Sequence, residues 1–169
     1  MKKTAFDELI AAIRSDDTAR QEEAANKICA LHDPASLQFI LAALKKNDPL
    51  TRRVMLWALR NYSAELEYAQ YLSYLADEDL GVREAARMLF MEGGQPAGDT
   101  LVAAISSNDM TTQYASVQAL GQFRKRCEAK GLRVEDSGVI DWSSGKRDRA
   151  INELVRRFAS HMSIRGAQA

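Results

Sequence analysis

Apolar residues in the first 123 positions recur as helical stripes, and the stripes themselves recur. In FDELIAAIRSDD, Leu9, Ile10 and Ile13 share one helix face. The same offsets return as Ile40, Leu41 and Leu44, as Tyr71, Leu72 and Leu75, and as Leu101, Val102 and Ile105. Each stripe ends four residues before an aspartate, and these four, Asp17, Asp48, Asp79 and Asp109, are spaced by 31, 31 and 30 residues. A second helical pattern follows each Asp. Seven positions on stand Ala24, Met55, Ala86 and Ser116; eleven positions on stand Ile28, Leu59, Phe90 and Leu120. The aspartates are suited to accept from the unpaired amides of a helix's first turn, and Pro49 fits a first helical position. The pattern predicts an all-α chain of four helix-turn-helix units over residues 4–123. One hairpin cannot bury its apolar face alone, whereas stacked hairpins share a core.

The remainder, 124–169, breaks the repeat. The second helix of the fourth unit is predicted to run on to about Lys130, followed by a loop over 131–146 that carries Trp142 between glycines and serines. Ile151, Leu154, Val155, Phe158 and Met162 then fall at helical spacing, predicting a helix that caps the end of the stack. The expected organisation is a single domain spanning 1–169.

The segment Asp79-Leu-Gly-Val-Arg-Glu-Ala-Ala86 resembles the D-x-x-V-R-x-x-A signature of HEAT-like repeats, particularly the short bacterial type of about 30 residues in phycobilisome-lyase-like proteins. Asp48 with Arg52 keeps the Asp-to-Arg spacing, whereas Gln21 and Gln113 replace the arginine after Asp17 and Asp109. The resemblance implies a right-handed α-solenoid. It also implies structural roles for the four aspartates and for Arg52 and Arg83, with Asp and Arg pairing between successive turns.

The resemblance further implies that the second helices line a concave surface. At about 100° per residue, positions five and nine after each Asp point away from the core. The fifth-position column is Glu22, Arg53, Glu84, Tyr114; the ninth is Asn26, Trp57, Met88, Gln118; the twelfth is Cys29, Arg60, Met91, Gly121. A partner-binding patch of Trp57, Met88, Met91, Arg53 and Arg60, flanked by Tyr114, is therefore expected, in residue types enriched where proteins bind proteins. Two readings of Trp57 stay open: a working surface, or core covered by neighbouring helices or by the Trp142 loop.

Composition narrows the function. The chain is 46% hydrophobic and 27% charged, which suits a soluble globular protein, and its 23 basic and 23 acidic residues leave no net field toward nucleic acid or membrane. The charge is uneven, since 124–169 holds 11 of the Lys/Arg and 6 of the Asp/Glu. Its basic runs at 124–126, 146–149 and 156–157 lack a repeating aromatic platform, so solvated faces are favoured over a nucleic-acid site. No apolar run reaches membrane-spanning length, and the amphipathic N-terminus is a poor signal peptide; a cytoplasmic, bacterial protein is expected. Cys29 and Cys127 lack metal-ligand spacing, and His32 and His161 lack sequence-level partners. Gly93 and Gly94 before Pro96 are turn chemistry.

No catalytic motif, cofactor loop or metal site is predicted. The expected function is a non-catalytic scaffold or adaptor that binds another protein on its concave face, as a monomer or homodimer. The resemblance also reaches bilin lyase subunits and nucleic-acid-binding HEAT-like proteins, and a toxin-immunity role fits the same scaffold. Phe6, Leu9 and Ile10 of the first unit have no evident cover, leaving either a polar outer face or pairing with another copy.

Overall fold

The computed structural model describes residues 2–45, 48–105 and 107–129. The expected loop with Trp142, the capping helix with His161, and the basic runs at 146–149 and 156–157 lie outside the described residues. So do the side chains of Cys127 and of the run at 124–126. Among the described residues every regular element is helical: α1 (Lys3–Ile13), α2 (Thr18–Cys29), α3 (Pro34–Leu44), α4 (Pro49–Leu59), two 3₁₀ segments (Arg60–Glu65 and Tyr68–Ala76), α5 (Leu80–Glu92), α6 (Gly94–Ala104) and α7 (Met110–Ala129).

The chain forms two compact units, Met1–Gly93 and Gly94–Ala169. In the first, α1 pairs with α2, α3 with α4, and the second 3₁₀ segment with α5; α2 then packs on α4, and α4 on α5. In the second, α6 pairs with α7. The repeated positions explain this packing. Ile13, Leu44, Leu75 and Ile105 are buried, and Ile28, Leu59, Phe90 and Leu120 are fully so. Ala24, Met55, Ala86 and Ser116 are buried as well, and their mostly small side chains let neighbouring helices approach. Each large apolar side chain buried this way contributes about 1.5–3 kcal/mol against the entropy of ordering the chain.

Two features depart from the expected pattern. The apolar stripe of the third unit is not an α-helix but a 3₁₀ segment. Its tyrosines stand three apart, matching the three-residue turn, in which such side chains align. Tyr68 and Tyr71 are buried, Tyr68 stacking on Phe90 with ring centroids 5.4 Å apart, and the Tyr74 hydroxyl lies 3.5 Å from the Leu44 carbonyl. α4 also ends sooner than the apolar pattern suggests. Beyond Leu59 the chain tightens into 3₁₀ turns with a non-helical Tyr62, whose hydroxyl donates to the Asp33 carbonyl at 3.2 Å.

Burial raises the hydroxyl pKa of Tyr62, Tyr71 and Tyr74, and pushes that of Tyr68 up to about 12. A folded-state pKa above the unfolded value of about 10 contributes stability that is complete below pH 10 and disappears as pH rises toward 12. Alkaline titration should therefore unfold the first unit in that window, with tyrosinate absorbance and loss of helical dichroism rising together. Free tyrosine ionisation near pH 10 in a chain that keeps its dichroism would contradict this.

In the first hairpin Leu9 stays half-buried. Phe6 and Ile10 are buried within the unit, with the Phe6 ring 5.7 Å from that of Phe39. Along α1 and α2 runs an open groove of about 390 Å³ lined by Ala5, Leu9, Ala12 and Ala24 and by Glu8, Arg20, Glu23 and Lys27. One repeat further on, the same positions hold Phe39, Thr51, Val54 and Ala58, where Thr51, Val54 and Ala58 are buried and Phe39 half-buried.

Candidate functional site

The turns that orient the second helices are built alike. Asp17 accepts from the Ala19 and Arg20 amides at 2.9 and 3.2 Å, Asp48 from Leu50 at 3.2 Å, and Asp79 from Val82 at 2.9 Å. In the second unit Asp109 accepts from Thr111 and Thr112 at 3.2 and 2.9 Å. Burial raises the Asp48 pKa, but the Thr51 hydroxyl and Arg14 outweigh it and hold the carboxyl below its ordinary value. The Thr112 hydroxyl and amide do the same for Asp109.

The residue four after each cap reaches into a turn. Gln21 donates to the Ser15 carbonyl at 2.5 Å, Arg83 to those of Asp77 and Glu78 at 2.7 and 3.0 Å, and Gln113 to that of Ile105 at 2.6 Å. Glutamine thus keeps the turn contact that arginine makes. Pairing between turns differs from the simple Asp-to-Arg ladder. Arg52 meets Asp77 of the following turn at 2.9 Å, not the cap Asp79, and Arg83 stays in its own turn. The first and second turns are joined instead by Arg14 and Asp48 at 2.8 Å, an arginine outside the repeat signature.

With its core face so fixed, α4 presents Arg53, Trp57 and Arg60 outward. Trp57 is 36% exposed, and the Arg60 guanidinium carbon lies 4.5 Å from its ring centroid, within range of a cation–π contact. Arg60 Nε and Nη2 each lie 2.5 Å from Glu92 Oε2, tying the C-terminal ends of α4 and α5 together. At their N-terminal ends the stem of Arg53 lies over Gly81. On α5, Met88 and Met91 are half-buried, and Arg87 pairs with Glu84. Trp57, Arg53, Arg60, Met88 and Met91 thus all lie on the adjoining helices of the first unit. Tyr114 belongs to the second unit, where it is 40% exposed and its hydroxyl accepts from Gln118 at 2.7 Å.

Two residues of this surface escape the column pattern. Leu80, 61% exposed, occupies the position directly after a cap, which no helical stripe marks; Glu92 lies one place beyond the twelfth-position column. Cys29, beside the surface, has its thiol pKa raised by burial against the opposing charge of Arg60, so it stays protonated at neutral pH. His32 is exposed at the start of the α3 turn. Among the described residues no group of His, Cys, Asp and Glu is placed to hold a metal ion, and no helix is long and apolar enough to cross a membrane.

Gly94 has φ +62°, the left-handed region glycine tolerates, directly before the first turn of α6.

A family model described as HEAT repeats matches residues 6–91, just over half of the chain. A comparison with curated proteins finds no match. The matched span runs from the buried Phe6 to Met91 and takes in three capped turns together with the Trp57 surface. The stacked hairpins, the repeated Asp caps and this match agree: the chain belongs to the HEAT-repeat family, whose repeats generally mediate protein–protein interaction.

Proposed function

We propose that the protein is a non-catalytic adaptor that binds another protein through the outward face of α4 and α5, with Trp57 as its anchor and Arg53, Arg60, Met88 and Met91 around it. The observation that carries this reading is the exposed Trp57 ring, held by Arg60, with Arg60 held by Glu92. A pre-oriented aromatic flanked by arginine and methionine can bury apolar area on a partner at small entropic cost. Tyr114 is an exposed aromatic of the second unit, on α7.

The test is capture of partners from extracts of the source cell by wild-type chain, by Trp57→Ala and by Gln38→Ala, a control on the exposed side of α3. At least one captured protein should bind Trp57→Ala more weakly by about 2 kcal/mol or more, about thirtyfold, and bind Gln38→Ala as it binds wild type. Retention of every captured protein by Trp57→Ala would overturn the assignment.

A further inference from the structure

We infer that Arg53, seated over Gly81 beside Trp57, selects the partner by an acidic side chain, an inference that rests on the partner-binding surface proposed above. The glycine is the starting point. Gly81 lies in the first turn of α5 without a positive φ, so its conformational freedom is unused, and it is a weaker helix former than the residues at the matching positions Ala19, Leu50 and Thr111. What it supplies is space. A Cβ built there would stand 2.9 Å from Arg53 Cδ, 3.2 Å from Asp79 Oδ1 and 3.3 Å from Arg53 Nη1, so the Arg53 side chain would have to shift. The missing methyl leaves room for the stem of Arg53 at the helix interface, one turn from Trp57.

Charge then defines the occupant. Arg60 is neutralised by Glu92, Arg87 by Glu84, Arg52 by Asp77 and Arg14 by Asp48. Arg53 is exposed and makes no salt bridge among the described residues. The nearby Asp79 Oδ1 already accepts from the Val82 amide in capping α5. Arg53 thus has no ion pair of its own among the described residues, with the capping Asp79 carboxylate as its nearby charge, and the exposed apolar Trp57 and Leu80 stand on the same two helices. A carboxylate with apolar neighbours complements that row. Arginine binds it through charge-assisted, bidentate hydrogen bonds, and a pre-positioned stem loses little freedom in doing so.

The experiment is selection of a displayed random-peptide library on the full-length chain, followed by affinity measurements on variants. Peptides that depend on Trp57 should be enriched in Asp or Glu next to an apolar residue, and Arg53→Glu should weaken them about tenfold or more. Gly81→Ala should weaken them also while leaving the urea midpoint unchanged or higher, which a merely structural glycine would not do. Trp57-dependent peptides without acidic enrichment, or bound equally by Arg53→Glu, would overturn the acidic selection and leave the surface standing. Affinity unchanged in Gly81→Ala would overturn the seating. A library with no Trp57-dependent binder would overturn both this inference and the surface on which it rests.

Discussion

Phe90→Ala is expected to lower the stability of the chain by about 3–5 kcal/mol, the usual cost of removing a fully buried phenylalanine ring. The ring has no exposed surface and packs on Tyr68, so its loss opens a cavity where α5 meets the second 3₁₀ segment. A 3₁₀ segment has poorer backbone hydrogen bonds than an α-helix and depends more on tertiary contact, which leaves little local strength to offset the loss. Urea denaturation should show the midpoint falling. Phe90→Leu, which keeps more of the volume, should cost less than about 1.5 kcal/mol. Equal costs for the two variants would show that the aromatic ring itself, and not retained volume, carries the contact with Tyr68.

The second large effect concerns Arg52 and Asp77. Their side chains retain 10% and 12% of their exposure and meet at 2.9 Å, so removing one strands a nearly buried charge. Arg52→Met and Asp77→Asn should each cost about 3 kcal/mol, the low end for a buried pair because some solvent still reaches it. The double variant should cost much less than the sum, since no uncompensated charge remains. Arg52 Nε is buried without a hydrogen-bond partner, a further reason why the intact pair adds little beyond a well-packed replacement. A double-mutant cycle measures the coupling, and additive single costs would show that the two residues act independently.

The repeat was readable in the amino-acid sequence because its signals are local or periodic. An Asp cap acts within three residues, and a stripe at helical spacing names the buried side of its helix. The burial of Leu59 and Phe90 follows from these signals, whereas for Trp57 they leave surface and core both open. Periodicity does not name the partner across a helix interface. Hence Arg52 was matched with a cap when its partner is Asp77, and Arg14 went unnoticed as the link to Asp48. It separates poorly two helices that share a three-residue spacing, so the tyrosine segment was read as α. The seat of Arg53 was hidden for a similar reason: Gly81 looks like a turn glycine, and only the position of α4 against α5 shows what its missing side chain admits.

The charged edge of the first hairpin bears on how copies of the chain can assemble. A stack of repeats is a template that could continue from one molecule into the next, and head-to-tail contacts of that kind lead to open fibres. Here a second copy adding a hairpin against α1 and α2 would have to strip water from Glu8, Arg20, Glu23 and Lys27, with Glu23 and Lys27 already joined at 2.6 Å. Desolvating four charges weighs against that growth, while Ala5, Leu9, Ala12 and Ala24 of the same groove offer apolar area to it.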